Sequence, residues 1–191
     1  MLFYIITLLL FSVVSGINSD CASGQYFNKL LSKCQKCPRG YFCTIAALDP
    51  IQCPPGQYTD LYEQTTCRRC EPGQYNIKMG ATKCEKCPPR YYCNDTTQEP
   101  IPCSPGTYAD LYMQQICRKC SPGYYQLSSR SISCIKCPTG FYCSDPTDAP
   151  IQCPVGMYSD LYAQKICKIC PLGTINSADH TSCIDISPVI G

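Results

Sequence analysis

The sequence predicts a small disulfide-rich fold of β-hairpins and irregular loops, strung into an elongated ladder of tandem cysteine-rich modules with almost no helix. Three observations predict it. Cysteine supplies 20 of 191 residues, far above ordinary usage. The cysteines fall on a repeat of 50 residues: Cys34, Cys37, Cys43, Cys53, Cys67 and Cys70 recur as Cys84, Cys87, Cys93, Cys103, Cys117 and Cys120, and again as Cys134, Cys137, Cys143, Cys153, Cys167 and Cys170. The 17 prolines and 12 glycines mark frequent turns, and there is no tryptophan to centre a core. Short units with so few large aliphatic side chains are held by cross-links rather than by burial.

The first sixteen residues are an apolar run of signal-peptide length, shorter than a bilayer-spanning segment. Val14 and Gly16 stand as a small-residue pair that places cleavage after Gly16; an uncleaved anchor is the competing reading. An even cysteine count agrees with an oxidising destination. The order expected is a signal peptide at 1–16, a leading cysteine loop at 17–33, cysteine-rich repeats at 34–83, 84–133 and 134–183, and a tail at 184–191. The tail lacks the apolar stretch of a lipid-anchor signal, so the expected product is soluble once secreted.

A second period lies within the first. Seven segments open with Cys-x-x-Gly and close on a cysteine: Cys21 to Cys34, Cys53 to Cys67, Cys70 to Cys84, Cys103 to Cys117, Cys120 to Cys134, Cys153 to Cys167 and Cys170 to Cys183. Pairs such as Pro55-Gly56 and Pro72-Gly73 suit a type II turn with glycine at positive φ. Two residues after the glycine stands a tyrosine in six of the seven, a flat face to lay over a disulfide while its hydroxyl stays wet; the last has Ile175. The remaining cysteines make three short loops, Cys37 to Cys43, Cys87 to Cys93 and Cys137 to Cys143. In the middle one Arg90 stands where the others have Gly40 and Gly140, which argues against a positive φ at that position.

Internal similarity favours local pairing. If one long segment closes on itself, those that look like it do too, giving Cys21–Cys34, Cys53–Cys67, Cys70–Cys84, Cys103–Cys117, Cys120–Cys134, Cys153–Cys167 and Cys170–Cys183. Cys37–Cys43, Cys87–Cys93 and Cys137–Cys143 are then left to each other. An interleaved scheme, Cys37–Cys53 with Cys43–Cys67 and its repeats, stays open, because connectivity does not follow from spacing.

Few residues suggest chemistry. Net charge is +2 with no block of like charge, which gives no sign of nucleic acid or an anionic membrane surface as partner. The spacing from Cys67 through Cys70 and Cys84 to Cys87 approaches a zinc ribbon, and Cys-x-x-Cys can be a redox dithiol. The leader, the even count and similar loops without a second Cys-x-x-Cys oppose both, so no metal or cofactor is expected. His180 is the one histidine, and no triad or carboxylate pair accompanies it, so no catalytic residue is expected. Asn94-Asp95-Thr96 is a glycosylation sequon with Asn94 as acceptor. One stretch is repeated with unusual fidelity: Tyr58 to Gln64, Tyr108 to Gln114 and Tyr158 to Gln164 each read Tyr-x-Asp-Leu-Tyr-x-Gln. The plain reading is repeat packing, with Leu and Tyr supporting the next module and Asp capping a turn, or recent duplication. The sharper reading is a binding stripe of Leu61, Tyr62, Leu111, Tyr112, Leu161 and Tyr162.

The run Cys53-Pro-Pro-Gly-Gln-Tyr58 through Cys67-Arg-Arg-Cys70-Glu-Pro-Gly-Gln-Tyr75 resembles the ephrin-receptor-like cysteine-rich repeat, with the tumour-necrosis-factor-receptor and growth-factor-receptor modules as wider relatives. The resemblance extends from Cys21 to Cys183. It implies a ladder of small disulfide loops and supplies no catalytic residues. The function expected is a secreted or surface-associated, non-catalytic binding protein, its partner an extracellular protein or glycan, with self-association allowed and no membrane insertion once the leader is cut. A soluble receptor-like decoy is the alternative; a secreted zinc-binding or redox protein is the alternative from another class.

Overall fold

The computed structural model describes residues 21–44 and 49–186. The signal-peptide reading at 1–16, and the last residues of the tail, lie outside the described residues. Among the described residues there is no helix; regular structure consists of two-stranded antiparallel hairpins.

The chain divides into two compact units. The first comprises residues 1–70 with 76–84. It holds the hairpins β1 (Gln25–Asn28) with β2 (Lys33–Lys36), β3 (Tyr41–Phe42) with β4 (Ile51–Gln52), and β5 (Gln57–Tyr58) with β6 (Arg68–Arg69). The second comprises 71–75 with 85–191. It begins with β7 (Gln74–Tyr75) and β8 (Glu85–Lys86), followed by β9 (Tyr91–Tyr92) with β10 (Ile101–Pro102) and β11 (Thr107–Tyr108) with β12 (Arg118–Lys119). Next come β13 (Tyr124–Tyr125) with β14 (Ile135–Lys136) and β15 (Phe141–Tyr142) with β16 (Ile151–Gln152). The last are β17 (Met157–Tyr158) with β18 (Lys168–Ile169), and β19 (Thr174–Asn176) with β20 (Cys183–Asp185).

All the hairpins are built by one device. In the β5–β6 hairpin, Gln57 N–H donates to Pro54 O at 3.1 Å, a turn closed around Gly56 at φ 75°. That is the type II geometry, in which the third residue needs a left-handed backbone. The carbonyl of Gly56 is thereby free to accept from Cys70 N–H at 2.9 Å, which locks the far end of the hairpin onto its own opening turn. The same pair of bonds recurs at Gly123, where Tyr124 N–H donates to Ser121 O and Cys137 N–H to Gly123 O.

Arg90 corrects the sequence reading. It sits at φ 77°, in the same left-handed conformation as Gly40 and Gly140. Two bonds hold it there: its N–H donates to Ala109 O at 2.7 Å and its carbonyl accepts from Cys103 N–H at 3.0 Å. The hairpin needs those bonds more than arginine resists the conformation, whose cost is about 1–2 kcal/mol. Arg90→Gly is therefore expected to stabilise the oxidised chain by about 0.5–1 kcal/mol, the relieved strain less the added chain entropy of glycine. A urea midpoint that falls instead of rising would show that the arginine side chain contributes more than its backbone costs.

The structure closes its disulfides locally. Seven have sequence separations of 13 or 14, from Cys21–Cys34 through Cys170–Cys183, and Cys37–Cys43, Cys87–Cys93 and Cys137–Cys143 have separations of 6. No cysteine is left free. These bonds are also the interior: Cys37, Cys43, Cys53, Cys87, Cys103 and Cys137 are fully buried. Among the described residues no Leu, Ile, Val, Met, Phe or Tyr is buried. The other buried side chains are small or polar, chiefly the equivalent Thr59, Ala109 and Ser159, with Asn76 and Gln126. Asn76 is satisfied where it is buried: its side-chain amide donates to the carbonyls of Gln57 and Lys78, and its oxygen accepts from Lys78 N–H.

In the last hairpin the histidine serves the backbone. His180 takes φ 57°, its carbonyl accepts from Ser159 N–H at 2.9 Å, and its Nδ1 lies 2.7 Å from the Asn176 amide. Nearby, Asp179 accepts from the Ser177 hydroxyl and from both Thr181 N–H and hydroxyl, which hold its carboxyl down at about 2. A lowered carboxyl favours the fold above its ordinary range, and that contribution fades as pH falls toward 2.

Candidate functional site: the repeated Leu-Tyr segments

The three Tyr-x-Asp-Leu-Tyr-x-Gln segments start on the last residue of the first strands of their hairpins, β5, β11 and β17. The second residue of each is a buried anchor, Thr59, Ala109 or Ser159, whose carbonyl accepts from Gly40, Arg90 or Gly140 N–H at 2.7–2.9 Å. Each then turns back through a residue at positive φ: Glu63 at 60°, Met113 at 63° and Ala163 at 60°. The N–H of that residue donates to the carbonyl of Cys37, Cys87 or Cys137, and the carbonyl of the following Gln64, Gln114 or Gln164 accepts from Cys43, Cys93 or Cys143. Three backbone bonds thus clamp each segment across one short disulfide loop.

The turn also brings a carbonyl against an earlier hairpin. A methyl group placed on Gly24, Gly73 or Gly123 would stand 1.9–2.2 Å from the oxygen of Glu63, Met113 or Ala163. Glycine is required there because backbone meets backbone.

The leucine and tyrosine between the clamps are exposed. Leu61 and Tyr62 are 46% and 53% exposed, Leu111 and Tyr112 55% and 64%, Leu161 and Tyr162 56% and 63%. None of the six is buried, and the bonded contacts are made by the backbone on either side of them. The repeated aspartate does not cap the turn. It reaches eight residues on to a basic partner on the second strand of its hairpin, Asp60 to Arg68 at 3.8 Å, Asp110 to Arg118 at 3.4 Å and Asp160 to Lys168 at 2.7 Å. The bond to Lys168 holds the Asp160 carboxyl below its ordinary range and the ammonium above its own. Local bonds set the shape of the exposed pair: Thr59 Oγ1 and Ser159 Oγ donate to the carbonyls of Leu61 and Leu161, and Gln64 Nε2 donates to Tyr62 O.

The first copy differs in its surroundings. Arg39 lays its guanidinium 5.0 Å from the Tyr62 ring centre, and an open groove beside that ring is lined by Lys33, Gln35 and Lys36. Elsewhere, Asn94 is exposed immediately after the buried Cys93, as an acceptor in a sequon must be. In the Cys-x-x-Cys pairs the two sulfurs belong to different bonds: Cys67 closes on Cys53 and Cys70 on Cys84, so neither a dithiol nor a set of thiolates stands there.

Residues 106–147 match the family model described as tyrosine-protein kinase ephrin type A/B receptor-like. The matched stretch begins and ends at a contact, since Gly106 packs against Pro146 and Thr147. Its cysteines recur fifty residues earlier as Cys67, Cys70, Cys84, Cys87 and Cys93, on the equivalent hairpins, and its first two recur fifty residues later as Cys167 and Cys170. Residues 106–147 are thus similar to an ephrin-receptor-like cysteine-rich repeat. No curated protein matches the chain. Repeats of this kind are extracellular-type, typically non-catalytic modules. No helix among the described residues is long and apolar enough to cross a membrane.

Proposed function

We propose that the chain is a secreted or surface-associated, non-catalytic binding protein whose ephrin-receptor-like repeats each present a Leu-Tyr pair to an extracellular protein or glycan. One observation carries this reading. In all three copies backbone bonds dock the segment while its leucine and second tyrosine are exposed. Aromatic and aliphatic anchors on a fixed backbone suit an interface centre. Three copies on one chain multiply weak contacts into avidity.

The test is a serine series. Replacing Leu61 and Tyr62, then adding Leu111 and Tyr112, then Leu161 and Tyr162, is expected to leave secretion and disulfide formation unchanged. Binding to cells or matrix that retain the chain should fall more than tenfold by the last step, with each step adding to the loss. Unchanged retention in the six-site variant would sink the proposal, and a collapse of secretion at the first step would return the pairs to a packing role.

A further inference from the structure

The first hairpin carries a surface that the repeats do not explain. Strands β1 and β2 have four residues each, where the other hairpins have two or three. Their longer ladder projects a tip, Lys29-Leu30-Leu31-Ser32-Lys33. In the later long loops the tip is turned back by backbone bonds: Gly80 N–H donates to Cys53 O and Arg130 N–H to Cys103 O, both at 2.8 Å. The first tip is instead braced from within. Asn28 Oδ1 accepts from Leu30 N–H at 3.0 Å and Leu31 N–H at 3.2 Å, and the Asn28 amide is itself fixed by Gln35. Ser32 completes the bend at φ 48°. The result is a rigid tip with Leu30 96% and Leu31 53% exposed.

The sequence on either side of the tip carries charge of one sign. From Cys21 to Thr44 the sequence contains Lys29, Lys33, Lys36 and Arg39 and not one Asp or Glu. Among the described residues Glu63 is brought to this region from elsewhere, 3.3 Å from Lys36 in an exposed pair. The whole-chain balance of +2 conceals the asymmetry, because the rest of the chain is nearly neutral. Two leucines at the apex with lysines behind them match a bilayer interface: apolar side chains enter the head-group and acyl boundary while ammonium groups stay at the level of the phosphates. A polyanionic glycan would use the lysines but leave the leucines in water.

We infer that the Leu30-Leu31 tip of the first hairpin is a peripheral membrane anchor that docks on bilayers bearing anionic head groups. It uses residues apart from the three Leu-Tyr pairs, so it stands or falls independently of them. The test uses the full chain as recovered from the medium of expressing cells, sedimented with vesicles of phosphatidylcholine alone or with about a quarter phosphatidylserine. Partition onto the anionic vesicles is expected to exceed that onto neutral ones by roughly tenfold, and to fall by a similar factor in high salt. The pairs Leu30→Ser with Leu31→Ser, and Lys29→Glu with Lys33→Glu, should each lower it by roughly tenfold or more. Because the chain has no tryptophan, Leu30→Trp supplies a single reporter whose emission should shift to the blue on anionic vesicles, and this reading survives even if a serine pair folds poorly. Absence of sedimentation, an unshifted indole emission in the Leu30→Trp variant, or unchanged binding in the leucine pair would overturn the inference. Retention on heparin that ignores the leucines, without vesicle binding, would overturn it in favour of a polyanionic glycan.

Discussion

Reduction is expected to unfold the whole chain. The reason lies in what is buried. With no large apolar side chain buried among the described residues, the hydrophobic term that holds ordinary domains together is nearly missing. Hairpins of two-residue strands are marginal by themselves. What remains is the constraint on the open chain, about 3 kcal/mol for each loop closed over a separation of 13 or 14 residues in the chain-entropy account, with shorter loops contributing less. These contributions do not add simply, but their loss exceeds the 5–15 kcal/mol or so that a typical domain has to spare. Amide exchange measured before and after a thiol-free phosphine reductant should show protection at Cys70 and Cys137 vanish. Persistent protection at those amides would mean a core exists beyond the cystines. The same oxidised sample, digested without reduction, should release Cys37–Cys43 and Cys87–Cys93 as self-contained fragments. A peptide joining Cys37 to Cys53 would refute the local map.

What could be read from the sequence, and what could not, follows from range. The fold class was legible because its signals are local: a cysteine at fixed spacing, a proline before a glycine, a tyrosine two residues on. Each hairpin is specified within about fifteen residues, and the turn at Gly56 needs nothing further to be inferred. Arg90 was misread by the same local logic. Its own propensity opposes a positive φ, while the bonds that impose one come from Ala109 and Cys103. The clamp on the Leu-Tyr segments was out of reach for a related reason. Its donors and acceptors are main-chain groups separated by about twenty residues, and main-chain groups leave no mark on residue identity. Glu63, Met113 and Ala163 occupy one conformation with three unlike side chains. The segment could be seen as repeated, but not that its backbone is bonded to an earlier loop while its leucine and tyrosine are exposed.

That division of labour gives the second large effect. Gly123→Ala is expected to cost about 3–5 kcal/mol, and Gly173→Ala only about 1–2 kcal/mol. The two glycines share a conformation, φ 82° and 83°, so the left-handed penalty for alanine is common to both. Their surroundings differ. The added methyl at Gly173 meets nothing within 4 Å, whereas at Gly123 it would stand 1.9 Å from the carbonyl oxygen of Ala163. That oxygen belongs to a backbone clamped by Ala163 N–H to Cys137 O and by Cys143 N–H to Gln164 O, so room can be made only by breaking those bonds, at about 1 kcal/mol each. Amide exchange at Ala163 and Cys143 should therefore accelerate strongly in Gly123→Ala and stay as in the parent in Gly173→Ala. Equal effects in the two variants would show that backbone strain, not the contact, decides the cost. If the contact decides it, the consequence reaches the surface. The clamp that fails is the one that holds Leu161 and Tyr162 outward, so a methyl group forty residues away should weaken binding through that pair while leaving Leu61 and Tyr62 as they were.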